Sequence, residues 1–107
     1  MDSKVFSGIL AQLESSFKDL SSEKEAARFL DSLFTETERL MLAKRLAIAV
    51  LLEEGITYDR ISRWLKVSPV TVGFVQNNKL KGNAAYQALI KQLKKVVPLP
   101  ARDQKIS

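Results

Sequence analysis

Between Leu40 and Leu52, eleven of thirteen residues are apolar, and only Lys44 and Arg45 interrupt them. A helix over this stretch is hydrophobic on every side, so it must be surrounded by other structure. In a chain of 107 residues the other helices of one copy struggle to cover it. A homodimer whose partner covers the remaining face is the natural solution. The alternative is a monomer built around a central helix.

The punctuation elsewhere is also helical, and no stretch alternates for long at the period of a strand. Val5, Ile9, Leu13, Phe17 and Leu20 fall on one stripe, predicting a first helix over Val5 to Leu20. Ser22-Glu23-Lys24-Glu25 reads as a capping box that opens a second helix through Ala26, Phe29, Leu30 and Leu33. Thr35-Glu36-Thr37-Glu38 is a second such box, starting the long apolar helix that Gly55 ends. Thr57 caps a short helix over Tyr58 to Lys66. Asn83 caps a last one over Ala84 to Val96, stopped by Pro98 and Pro100. The fold class is therefore all-α: one helical domain over residues 1–97, followed by a flexible tail over 98–107.

Residues 57–78 have the spacing of a helix-turn-helix. Ile61 and Leu65 face inward from its first helix, while Arg60 and Arg63 point outward. Ser62 is small where the two helices must approach. Ser68 is a strong N-cap, Pro69 fits the first helical position, and Val72 and Val75 face back toward Ile61 and Leu65. The outward face of the second helix is then Pro69, Val70, Gly73, Phe74 and Asn77, with Thr71 at its edge.

No charged residue occurs from Val67 through Asn78, which is unusual for a helix that reads DNA. The charge lies on either side. Residues 59–95 hold eight Lys or Arg (Arg60, Arg63, Lys66, Lys79, Lys81, Lys91, Lys94, Lys95) against Asp59 alone. Residues 1–32, by contrast, hold four basic and six acidic residues. Such a layout suits double-stranded DNA. Arg60, Arg63, Lys66, Lys79 and Lys81, with the helix N-terminus at Ser68-Pro69, would contact phosphates. Val70 and its neighbours would touch thymine methyls, and Gln76 or Asn77 would pair with adenine.

Other functions have little support. Without a histidine or cysteine, the chain lacks the commonest general base, the thiolate nucleophile and the commonest metal ligands. No Gly-rich phosphate loop appears, so neither an enzyme nor a cofactor is expected. The longest apolar run, Leu46 to Leu52, is seven residues, too short to span a bilayer, and no signal-peptide pattern is present. A cytoplasmic protein is expected. The competing reading is a protein-interaction module using Val70 and Phe74 as an apolar patch.

The segment "FLDSLFTETERLMLAKRLAIAVLLEEGITYDRISRWLKVSPVTV", and more weakly "NNKLKG", resembles the tryptophan repressor superfamily over about Phe29 to Lys81. "TETERLMLAKRL" particularly resembles its uncharacterised repressor-related branch. The resemblance implies six helices in an intertwined homodimer, the fourth and fifth forming the helix-turn-helix of a transcriptional regulator. It also implies a corepressor pocket in which a threonine and an arginine, matched by Thr35 and Arg45, hold L-tryptophan. The family's second arginine, which stacks on the indole, falls at Phe74 or Val75, and its pocket glycine and serine are absent. A vestigial pocket at Thr35, Arg45 and Phe74 is therefore expected, with Phe74 supplying its own ring in place of a ligand.

Overall fold

The computed structural model describes residues 2–78 and 83–98, in which six helices and their connections account for the secondary structure. The chain divides into two compact units, one up to Arg39 and one from Leu40 onward.

The first unit holds α1 (Ser3–Phe17), α2 (Glu23–Leu33) and the start of α3 (Glu36–Glu53). Asp2 caps α1 by accepting from the Lys4 N–H at 2.8 Å, so the helix begins two residues before its first apolar position. It ends at Phe17 instead of Leu20. There Ser16 Oγ donates to the Leu13 carbonyl, and the Asp19 and Leu20 N–H groups bond three residues back. Serine hydroxyls that compete for backbone partners tighten a helix end in this way. Ser22 Oγ caps α2 as expected, but the Glu25 carboxylate accepts from the Ser21 hydroxyl rather than the Ser22 N–H. The Thr35 box is reciprocal: Thr35 Oγ1 accepts from Glu38 N–H, and Glu38 Oε1 accepts from Thr35 N–H. Phe17 and Phe29 pack edge to face, 5.5 Å between centroids, and Arg39 pairs with Asp31. No residue of α1 or α2 is buried; Val5, Phe6, Ile9, Leu10, Leu30 and Leu33 all remain exposed.

The second unit contains the rest of α3, then α4 (Tyr58–Leu65), α5 (Pro69–Asn77) and α6 (Ala84–Leu93). Gly55 ends α3 with φ +81°, and the Ile56 N–H bonds back to the Leu51 carbonyl. Glycine takes that left-handed turn without a Cβ penalty. Ile48, Leu51, Ile61 and Val72 form one buried cluster, with Leu65, Val67 and Val75 packed against it. Ala49, Val50 and Ile90 form a second, flanked by Tyr86, Leu93 and Val97. The all-round apolar helix is thus surrounded within one chain only over its second half, Ile48 to Leu51. Leu40, 54% exposed, and Leu42 stay open to solvent.

The last helix stops at Leu93, three residues earlier than its apolar spacing suggests. The Val96 and Val97 N–H groups both turn back to the Leu93 carbonyl, which delivers Val97 to the core and leaves Val96 outside. Lys94 Nζ sits 3.3 Å from both Glu53 and Glu54 at the end of α3. Hydrogen bonds to Glu54 and then Glu53 hold its ammonium above the usual lysine value. Among the described residues, no helix is long and apolar enough to cross a membrane. The expected tail lies outside the described residues from position 99 on.

Candidate nucleic-acid interface

α4 and α5 pack directly on each other, as the spacing of Ile61, Leu65, Val72 and Val75 requires. Thr57 Oγ1 caps α4 through the Arg60 N–H, and Ser68 Oγ caps α5 through the Thr71 N–H while bonding the Thr71 hydroxyl at 3.0 Å. Between them the turn is held twice by Ser62. Its Oγ donates to the Val67 carbonyl, and its carbonyl accepts from the Val67 N–H. The small residue therefore clasps the turn as well as permitting the approach.

Lys66 makes the turn with φ +56° and ψ +54°, among the described residues the one non-glycine position in the left-handed region. An L-residue there is strained by about 1–2 kcal/mol. Lys66→Gly is accordingly expected to raise stability by about 0.5–1 kcal/mol in denaturant unfolding, because the relief outweighs the extra unfolded-state freedom. If stability falls instead, the Lys66 side chain supports the turn and the strain assignment is wrong.

The face of α5 away from the core is apolar and open. Val70 is 80% exposed, Phe74 is half-exposed, and Pro69 and Asn77 are also exposed. Thr71, Gly73 and Gln76 are half-buried. The cations around it differ in availability. Arg63 pairs with Asp59 one turn earlier, Arg60 is half-buried, and Lys66 is exposed at the turn. Lys94, counted among the basic residues by sequence, is committed to Glu53 and Glu54. Lys79 and Lys81 lie outside the described residues.

Beside the open face of α5, α3, α5 and α6 enclose an open, mostly apolar pocket of about 160 Å³. It is lined by Arg45, Leu46, Ala49, Phe74, Val75, Asn78 and Tyr86. Arg45 places its guanidinium carbon 5.1 Å from the Phe74 ring centroid, a cation–π contact. Phe74 is thus a wall of the pocket beneath Arg45, with half of its surface outside, rather than a plug that fills it. Asn78 Nδ2 donates to the Phe74 carbonyl at 2.8 Å, securing the end of α5 at the pocket rim. Burial, and then Glu53, raises the Tyr86 hydroxyl above the usual tyrosine value. Thr35 belongs to the first unit, where the reciprocal cap with Glu38 occupies its hydroxyl. Asn78 and Tyr86 line this pocket although no local sequence pattern points to either.

Comparison with known proteins agrees with this geometry. The family model described as "Trp repressor protein" matches residues 9–94. The chain is also similar to "Uncharacterized protein YerC" of Bacillus subtilis (strain 168). The two are 36% identical over 85 residues, covering 79% of this chain and 82% of that protein. No solved structure matches the chain.

Proposed function

The chain belongs to the Trp repressor family, a DNA-binding regulatory family with a non-catalytic helical fold, and from that premise we propose that it is a dimeric, sequence-specific transcriptional repressor whose DNA binding does not require tryptophan. The observation that carries this reading is the clasped α4–turn–α5 unit, which presents an open, charge-free face of α5. A helix so exposed fits the major groove, where thymine methyls and adenine edges offer apolar and amide-pairing contacts. Affinity then comes from cations beside the face, on phosphates. Arg60, Arg63, Lys66, Lys79 and Lys81 have this role, with the Ser68-Pro69 end of α5 taking a further phosphate.

Independence from tryptophan is supported by the pocket. The position that resembles the family's stacking arginine falls at Phe74 or Val75, neither of them an arginine, and Phe74 already occupies the face of the Arg45 guanidinium. A second copy of the chain is the partner that suits the exposed apolar residues of α1, α2 and the start of α3.

Titrating labelled duplex DNA at several salt concentrations tests the reading. Wild type should show a steep linear fall of log affinity with log salt. Replacing Lys79 and Lys81 together with alanine should weaken all sequences similarly and flatten the slope by up to about 2 units for each chain bound. An unchanged slope would remove those lysines from the interface. The competing interaction-module reading draws on the apolar exposure of Val70 and Phe74. It would gain if no DNA binding occurs even at low salt.

A further inference from the structure

Gly73 lies inside the nine-residue α5, where glycine is among the least favourable residues for a helix. Its backbone does not call for it, since Gly55 is the positive-φ glycine of the described residues. Packing does not call for it either. A Cβ built at Gly73 would meet Tyr58 Cε2 at 3.8 Å, an ordinary contact, and, among the described residues beyond its chain neighbours and its own helix backbone, no other atom within 4 Å. The described residues of the folded chain therefore give no reason for a missing side chain here.

The surroundings supply one. Val70 lies one turn before Gly73 and Asn77 one turn after, both exposed on the same row of the helix, and the Tyr58 ring borders the gap. With no Lys or Arg on α5, base contacts from the row Val70, Gly73 and Asn77 come from short side chains. Short side chains reach the base edges only if the helix backbone comes close, and a bare position at mid-helix permits that approach. The apolar group that the major groove offers at such a point is the thymine 5-methyl.

We propose that Gly73 is a notch that seats the 5-methyl group of one thymine per half-site, between Val70 and Asn77, with the Tyr58 ring as its side wall. The notch has this use only if the chain reads DNA, so it rests on the function proposed above. Asn77, one turn further on, is placed to pair with a neighbouring adenine.

The test uses a duplex selected from random DNA by the wild-type protein, in which each thymine is replaced in turn by deoxyuridine, which lacks only the methyl. Wild type should lose about fourfold in affinity at the seated thymine. Gly73→Ala fills the notch. It should melt at a higher temperature than wild type, bind the thymine duplex about tenfold more weakly, and no longer distinguish uracil from thymine at that position. The melting curve shows that any lost affinity is not lost folding. If wild type binds its selected duplex but ignores every uracil replacement, the notch is refuted and the DNA-reading function stands. The same holds if Gly73→Ala keeps the full uracil penalty. If selection yields no preferred sequence and no binding at low salt, the function falls and the notch with it.

Discussion

Wild-type chain sedimenting at micromolar concentration is expected to be a dimer, and Leu40→Glu combined with Leu42→Glu is expected to abolish both the dimer and most of its cooperative unfolding. Leu40 and Leu42 are exposed in one chain although they belong to a helix that is apolar all round. The first unit adds Val5, Phe6, Ile9 and Leu10, without burying a residue of α1 or α2. A protein rarely leaves so many large apolar side chains in water unless another surface covers them. Two glutamates per chain would place four carboxylates in a dimer interface. Each costs several kcal/mol if buried without a partner, against a total stability of about 5–15 kcal/mol for a domain of this size. The double variant should therefore be largely unfolded or molten by circular dichroism. A control charge at exposed Gln92, Gln92→Glu, should shift stability by no more than about 0.5 kcal/mol. A folded wild-type monomer at micromolar concentration would end the dimer proposal, since the exposed leucines would then need no partner.

How much of this was legible from sequence depends on the range of the interaction involved. The caps were readable because they are local. Thr35 with Glu38, Ser68 with Thr71 and Gly55 with its left-handed φ each need only a few consecutive residues. The packing of Ile61 and Leu65 against Val72 and Val75 was also readable, because helical periodicity fixes which side chains share a face. Helix ends were less so. Asp2 caps α1 ahead of its first apolar residue. Leu20 and Val97 still serve as partly buried apolar positions after their helices have ended. Apolar spacing cannot distinguish a residue on a helix from one carried inward by the turn after it. The Lys94 bridge to Glu53 and Glu54 was beyond reach, because about forty residues separate its partners and no local pattern records it. Asn78 and Tyr86 joined the pocket for the same reason: which ends of α5 and α6 converge on Arg45 is a tertiary fact.

The contact between Arg45 and Phe74 leads to the second large effect. In the proposed function, α5 must hold one angle to the groove without help from a ligand. On its inner side it is fixed by buried Val72 and packed Val75; Phe74 beneath Arg45 adds a contact from α3 to the outer edge. A cation–π contact at a half-exposed site is worth about 0.5–1 kcal/mol, and the buried half of the ring adds a similar amount. Phe74→Ala should then lower DNA affinity about tenfold while removing no phosphate contact, so the salt slope should stay unchanged. Phe74→Leu keeps apolar bulk without the aromatic face, and should fall between wild type and Phe74→Ala. Combining Phe74→Leu with Arg45→Met isolates the pair. The two losses should fall short of additivity by about 0.5–1 kcal/mol, the coupling energy of the contact itself. Simple additivity would mean that Arg45 and Phe74 act separately and that the ring does not pin the helix. Calorimetry gives the complementary result. Because Phe74 already covers the Arg45 guanidinium, L-tryptophan should produce no saturable heat with wild type and no change in DNA affinity. Saturable binding accompanied by tighter DNA binding would make the remaining pocket of about 160 Å³ a working effector site. DNA binding would then be ligand-gated rather than constitutive.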